Sequence, residues 1–211
     1  MQVKLSISAL KVLITSFILQ DFSIIFNSFS GCCYVKIGVL TSIKKQMPTG
    51  NTSTDYKITA ISEIAGQVRK WRKEGQSLVF TNGCFDLLHA GHIRYLQTAA
   101  AFADIFILGL NSDSSVRKLK GLSRPIMSQP DRALLLSALE AIDCVVIFDE
   151  ETPARLIETV LPDVLVKGGD YIVEDIVGYE TVTKNGGRVE VVNYVEGKST
   201  TGIVNLIMEN A

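Results

Sequence analysis

Thr81-Asn82-Gly83-Cys84-Phe85-Asp86-Leu87-Leu88-His89-Ala90-Gly91-His92 follows directly on the apolar run Leu78-Val79-Phe80. It holds both histidines of the chain, three residues apart with Gly91 between them. A strand that runs through a glycine-bearing loop into a helix is how open α/β sheets present phosphate-binding groups. Gly83 and Gly91 let the backbone approach a ligand closely. His92 falls in the first turn of the expected helix, where free amides and the helix dipole favour an anion. His89 sits just before it, so both imidazoles can point at one phosphate chain. Nothing nearby resembles a nucleophile–base pair for covalent catalysis. The expected chemistry is direct displacement at phosphorus, with the loop supplying positioning and charge stabilisation.

Outward from this loop, helix and strand patterns alternate. Ile61, Ile64, Ala65, Val68 and Trp71 repeat at helical spacing before a stop at Gly75. Strands are expected over 77–81, 105–110, 144–148, 164–167 and 188–193. Helices are expected over about 91–101, over 113–118 with Asp113 as cap, and over 131–142 just after Pro130. Three more are expected over 153–160 with Thr152 as cap, around 176–184, and over about 199–208. Residues 121–129 read as a loop. The alternation implies an α/β fold: a Rossmann-like, doubly wound parallel sheet of five strands with helices on both faces. Ligands bind such sheets at the carboxyl ends of the strands. The histidine loop, Asn111 and the turn Lys167-Gly168-Gly169-Asp170 all fall there.

A chain of 211 residues, 47% hydrophobic, is long enough for one such domain plus an appendage. A net charge of −1 gives no bulk attraction to nucleic acid, so phosphate binding must be local. Cys32, Cys33, Cys84 and Cys144 form neither a C-x-x-C pair nor a zinc-spaced cluster. They read as reduced thiols of a cytoplasmic protein.

Residues 1–46 are apolar, rich in Ser, Phe and Ile, and stand outside the domain; 47–56 read as a linker or natural start, and 57–211 as the domain itself. The uncharged stretches 12–20 and 22–35 are separated by Asp21. Neither reaches the roughly 18–20 residues of a membrane span. Bridging Asp21 would cost about 2.5–3.5 kcal/mol. A signal peptide has some support in Lys4, Lys11, the short apolar core 12–19 and a lipoprotein-like Ser30-Gly31-Cys32. The preferred expectation is an extension upstream of a working start at Met47, with no membrane partner; a weak anchor is the alternative.

The pattern strand-x-x-G-x-F-D-x-x-H-x-G-H resembles the signature of the nucleotidyltransferase superfamily that includes the cytidylyltransferases and pantetheine-phosphate adenylyltransferase. Five blocks carry a closer resemblance: FTNGCFDLLHAGHIRYL, LGLNSDSSVRKLKG, SRPIMSQPDRALLLSAL, VVIFDEETPARLIETVLPDVLVKGGDY and VEGKSTTGIV. They appear in order from about Lys57 to the C-terminus. Together they resemble the D-glycero-β-D-manno-heptose 1-phosphate adenylyltransferases, in particular the C-terminal domain of the bifunctional heptose enzyme of lipopolysaccharide synthesis. The 56 residues before the match cannot supply the sugar-kinase domain of that enzyme, so the stand-alone form is expected.

The resemblance implies that ATP and the heptose 1-phosphate give ADP-heptose and pyrophosphate. It implies that His89 and His92 hold the phosphates, and that Mg²⁺ bridges phosphate oxygens with no dedicated protein metal ligands. It also implies a homodimer. Lys120 matches a phosphate-reaching lysine of related cytidylyltransferases. Their second lysine is replaced here by Leu122, and Arg124 is a substitute source of charge. Tyr194 stands where those relatives place an arginine, which weakens the case for CTP. CTP with another phosphorylated acceptor, such as glycerol 3-phosphate, remains the alternative reaction. A catalytically silent, membrane-tethered nucleotide-binding module is the non-enzyme alternative.

Each candidate also has a plainer reading. Asn82, Gly83, Phe85, Asp86 and Gly91 are expected to shape the nucleotide side of the loop, where Asp86 could sit near Mg²⁺ or buttress the loop by bonding backbone amides. Lys120 could be a solvated lysine, Asp113 a plain cap and Cys84 a packing thiol. Arg132 suits either the sugar phosphate or packing. Asn111, Lys167, Gly169 and Asp170 are candidates for the nucleotide. Ser199, Thr200 and Thr201, opening the last helix, form a second anion site or a simple cap.

Overall fold

The computed structural model describes residues 54–193 and 199–210, and the backbone of 23–29 and 32–38. The expected start at Met47, the basic signal-like start, the apolar core 12–19 and Tyr194 lie outside the described residues. The chain divides into two compact units between Asn51 and Thr52. In the first, β1 (Ser23–Phe29) pairs antiparallel with β2 (Cys32–Gly38), Phe29 opposite Cys32. The segment is rich in β-branched and aromatic residues, which suit a pleated strand. Among the described residues no helix is long and apolar enough to cross a membrane.

The second unit is a parallel sheet of six strands, one more than the sequence pattern suggests. The extra strand is β3 (Ile58–Thr59), which pairs with Val145 and Val146 at the sheet edge. Two residues are too few for a period-two signal. The others are β4 (Leu78–Gly83), β5 (Ile105–Asn111), β6 (Cys144–Phe148), β7 (Val164–Gly168) and β8 (Arg188–Val192). Their order is β3-β6-β5-β4-β7-β8.

The strand residues alternate between two cores. Leu78, Phe80, Ile105, Ile107, Cys144, Val146 and Leu165 face one side. They pack with α1 (Ile64–Lys73), α5 (Ala154–Val160) and α6 (Tyr179–Lys184). Val79, Phe106, Leu108, Leu110, Val145, Val164 and Val166 face the other. They meet α2 (Ala90–Ala100) and α4 (Gln129–Ser137). Strands covered on both faces need no polar alternation.

Several helix ends differ from expectation, for local reasons. Ile61 lies in a turn before α1, 42% exposed. In α3 (Asp113–Lys120) the cap is Ser112, whose hydroxyl accepts from the Ser115 amide; the Asp113 carboxylate is drawn to Arg132 instead. Ser128 caps α4, so the helix begins before Pro130, and Pro is tolerated in a first turn whose amides are unpaired anyway. Pro153, not Thr152, takes the cap position of α5. The helix expected around 176–184 begins only at Tyr179 as α6, and a short 3-10 turn (Val173–Asp175) precedes the expected range. The last helix, α7 (Thr200–Glu209), starts as expected, capped by Ser199.

The chain moves from β4 through β5 to β6 in one direction, then crosses back to β7 on the other side of β4. β4 and β5 pair over six residues, whereas β4 and β7 pair only at Val79–Val164 and Phe80–Leu165. The two strands therefore separate toward their carboxyl ends, which opens the crevice where doubly wound sheets bind ligands. Side chains bridge the gap. Thr81 Oγ1 and Tyr95 Oη both donate to the Val166 carbonyl, at 2.9 and 3.2 Å.

Candidate active site

Beyond β4 the backbone turns sharply. Phe85 has a left-handed φ of 43° although it is not glycine, a strain of about 1–3 kcal/mol. The turn folds its ring back over Gly83. A Cβ at that position would lie 2.9 Å from Phe85 Cε2, so only glycine fits. The ring then meets the edge of His92, centroids 5.3 Å apart at 60°. Phe85 is thus a support for His92.

The two imidazoles stack, centroids 3.8 Å apart and 19° from parallel. His89 is the N-cap of α2, and its Nδ1 accepts from the His92 amide at 3.3 Å. A neutral His89 ring therefore carries its proton on Nε2, away from the cap. Burial, helped by the charges of His89 and Lys120, pushes the His92 pKa from 6.5 down to about 4. The Leu87 carbonyl opposes this, but His92 Nδ1 is buried without a hydrogen-bond partner. His92 is neutral at pH 7, and a bound polyanion would favour its proton.

Two lysines approach the loop. Lys120 is exposed at the end of α3, near enough to depress the His92 pKa. Lys167, at the end of β7, donates to Asn82 Oδ1 at the end of β4, bridging the crevice. Burial pushes its ammonium from 10.5 down to about 8, with Cys84 acting in the opposite sense. Burial also raises the Cys84 thiol, against the charges of Lys120 and Arg132. Gly169, with φ of 123°, donates to the Val192 carbonyl and extends the β7–β8 ladder; Asp170 is exposed beside it.

The Asp86 carboxylate turns away from the crevice. It accepts from the Ile126 and Met127 amides at 2.8 and 2.9 Å and from Arg124 at 2.9 Å. Burial would raise its pKa, but the Met127 amide, Arg124 and the Ile126 amide together hold it below the usual carboxylate range. Its geometry is that of a buttress, and Arg124 is its partner. Asn111 is buried, its amide donating to Ser115 Oγ at 2.9 Å. Arg132 is 1% exposed, so it faces no sugar phosphate. At α7, Thr200 Oγ1 donates to the Leu87 carbonyl at 3.3 Å, which brings Ser199 and Thr200 against the histidine loop. Thr201 is exposed in the same turn, and Gly91 lies inside the first turn of α2.

The residues that sequence reasoning left undecided are Arg124 and Arg132. No period or motif reveals their roles, because each depends on a carboxylate or carbonyl distant in sequence.

Comparison with known proteins identifies the family. The family described as Cytidylyltransferase-like matches residues 80–204. The chain is 50% identical to a bifunctional protein HldE of Geotalea uraniireducens over 86% of this chain and 38% of that one. It is 53% identical to the protein of that name from Geobacter sulfurreducens, over 74% of this chain and 32% of that one. The Mesorhizobium japonicum protein of the same name is 52% identical over 74% of this chain and 31% of that one. The chain thus spans about a third of the length of these relatives. A solved structure described as a lipopolysaccharide core biosynthesis protein from Thermoplasma volcanium GSS1 is 27% identical, with a TM-score of 0.49 over 59% of this chain and all of that one. With residues 80–204 matched and the histidine pair at the carboxyl end of β4, the chain belongs to the cytidylyltransferase-like family of nucleotidyltransferase enzymes.

Proposed function

We propose that the protein transfers the adenylyl group of ATP to D-glycero-β-D-manno-heptose 1-phosphate, giving ADP-heptose and pyrophosphate for lipopolysaccharide core synthesis. The observation that carries the reading is the stacked His89–His92 pair at the N-terminus of α2, beside the crevice between β4 and β7. The choice of sugar and nucleotide rests on the five sequence blocks. The matches to bifunctional proteins named HldE support the reading for the part of them that this chain covers.

In this reaction an oxygen of the sugar phosphate attacks the α-phosphorus. A new P–O bond forms as the α–β bridging bond breaks, and its electron pair leaves with pyrophosphate. His89 Nε2–H and His92 donate to phosphoryl oxygens as negative charge develops. Lys120 neutralises the leaving phosphates, and Lys167 with Asn82 positions the α-phosphate side of the nucleotide. Gly83, Gly91 and Gly169 allow backbone approach, Asp170 meets the ribose or base, and Ser199, Thr200 and Thr201 meet the triphosphate from the opposite wall. Asn111 shapes the floor at the end of β5.

Mg²⁺ fits here only as a companion of ATP. The Asp86 carboxylate is already bonded by Arg124 and two amides, and Asp113 by Arg132. When bound it would neutralise phosphate charge, held by substrate oxygens and water. The protein would act in the cytoplasm, where ATP is available. A homodimer suits the exposed Leu206, Ile207 and Met208 of α7, which a second copy would cover. A pyrophosphate-release assay over ATP and CTP, each with heptose 1-phosphate and glycerol 3-phosphate, tests the reading. Turnover with ATP and heptose 1-phosphate is expected; turnover confined to CTP with glycerol 3-phosphate would overturn it.

A further inference from the structure

We infer that Arg132 is a positioning residue: its buried guanidinium clamps the histidine loop to the helix that carries Lys120. The inference rests on the proposed transfer reaction. Arg132 is among the largest fully buried side chains of the molecule, so it touches no substrate. Its Nη1 donates to the carbonyls of Cys84 at 2.5 Å and Asn111 at 2.9 Å. Its Nε donates to the Met127 carbonyl at 3.2 Å, and its Nη2 to Asp113 Oδ1 at 2.7 Å.

These four acceptors belong to four segments that meet at the site. Cys84 is the residue between Gly83 and Phe85 of the histidine loop. Asn111 ends β5. Met127 lies in the segment whose amides hold Asp86 of the same loop. Asp113 opens α3, which ends at Lys120. One rigid fork therefore sets where the loop backbone stands relative to α3. A lysine could not, because a single ammonium cannot span acceptors in these directions. A misplacement of about 1 Å in such a frame can cost about 10²-fold in rate.

The test compares wild type with Arg132→Ala and Arg132→Lys in the full chain. Arg132→Ala is expected to lower kcat about 100-fold, with KM for ATP within threefold of wild type. Millimolar methylguanidinium is expected to restore at least tenfold, whereas a merely destabilised protein gains nothing from that ion. If Arg132→Ala does not fold, Arg132→Lys decides, with kcat expected at least tenfold down at unchanged KM. A readout independent of turnover is hydrogen exchange. The His92 amide, bonded to His89 Nδ1, should lose protection in Arg132→Lys while the Val68 amide of α1 keeps it. Wild-type turnover in Arg132→Lys, or unaltered His92 protection, would overturn the inference. An inactive wild type would instead overturn the proposed reaction and leave the exchange result to judge the clamp.

Discussion

The two walls that flank the histidine loop are built differently. On the α3/α4 side, Asp86 takes three hydrogen bonds and Arg132 makes four, all with charged partners or backbone groups. On the other side, α7 has no buried residue, and Thr200 ties it to the loop through a 3.3 Å bond to Leu87. In the proposed reaction the firmly bonded wall would hold Lys120 and the histidine loop already aimed when charge develops at phosphorus, because reorganisation at that moment costs rate. In the proposed reaction the lightly tied wall would face the nucleotide from the opposite side, where few bonds hold it against substrate entry and product release.

The largest break in this contrast should come at the chemistry itself. His92→Ala removes a donor that the proposed reaction aims at the transferring phosphoryl group and is expected to lower kcat by about 10²–10³-fold. The thermal midpoint should stay near that of wild type, since Phe85 and the loop bonds remain. Pyrophosphate release and circular dichroism measure the two. A variant within tenfold of wild-type turnover would show that the loop held against the rigid wall is not catalytic.

Asp86→Ala attacks the frame rather than the chemistry. It strands the Arg124 guanidinium and the Ile126 and Met127 amides beside a side chain 2% exposed. Removing one partner of such a pair costs about 3 kcal/mol. Urea unfolding should show that loss, with turnover falling as well. A cost below about 1 kcal/mol, the scale of an ordinary exposed pair, would make the two walls equally soft.

The difference between the walls also explains what could be read in advance. The strands were legible because each core face recruits alternate residues, as Leu78 and Phe80 do on one side and Val79 on the other. The histidine pair was legible because its spacing and the helix start are local. β3 was not, since its two residues carry no period and Ile58 merges with the pattern leading to α1. The clamp roles of Arg124 and Arg132 were not, because the loop groups they hold, Asp86 and the Cys84 carbonyl, lie 38 and 48 residues upstream. A buried arginine and a surface arginine look alike in a sequence. The exchange of Asp113 for Ser112 as helix cap has the same origin: Arg132 competes for the carboxylate.

Acidity offers a subtler measure of how dry the firm wall is. His92 has a folded pKa of about 4 against 6.5 when unfolded. Between those values the unfolded chain binds a proton that the folded protein refuses, so stability falls as pH drops from 6.5 toward 4 and is unaffected by this ring above 6.5. His92→Gln should remove that part of the slope. Unfolding free energies of both proteins, compared at neutral pH and at steps toward pH 4, would show it. Parallel profiles would mean the ring is hydrated and the wall open.

The smallest effect is expected at the lightly tied wall, and there its character is more telling than its size. Thr200→Val keeps the shape of the side chain and removes the 3.3 Å bond to the Leu87 carbonyl. A neutral bond of this kind contributes about 0.5–1.5 kcal/mol, which corresponds to a change in affinity of roughly two- to tenfold. If α7 serves to hold the nucleotide, KM for ATP should rise within that range while kcat stays level, because the same contact exists before and during transfer. If kcat falls instead with KM unchanged, the contact supports the site chiefly in the transition state and α7 belongs with the rigid wall. The split between the two constants, measured on one variant, therefore decides whether the site has one catalytic wall or two.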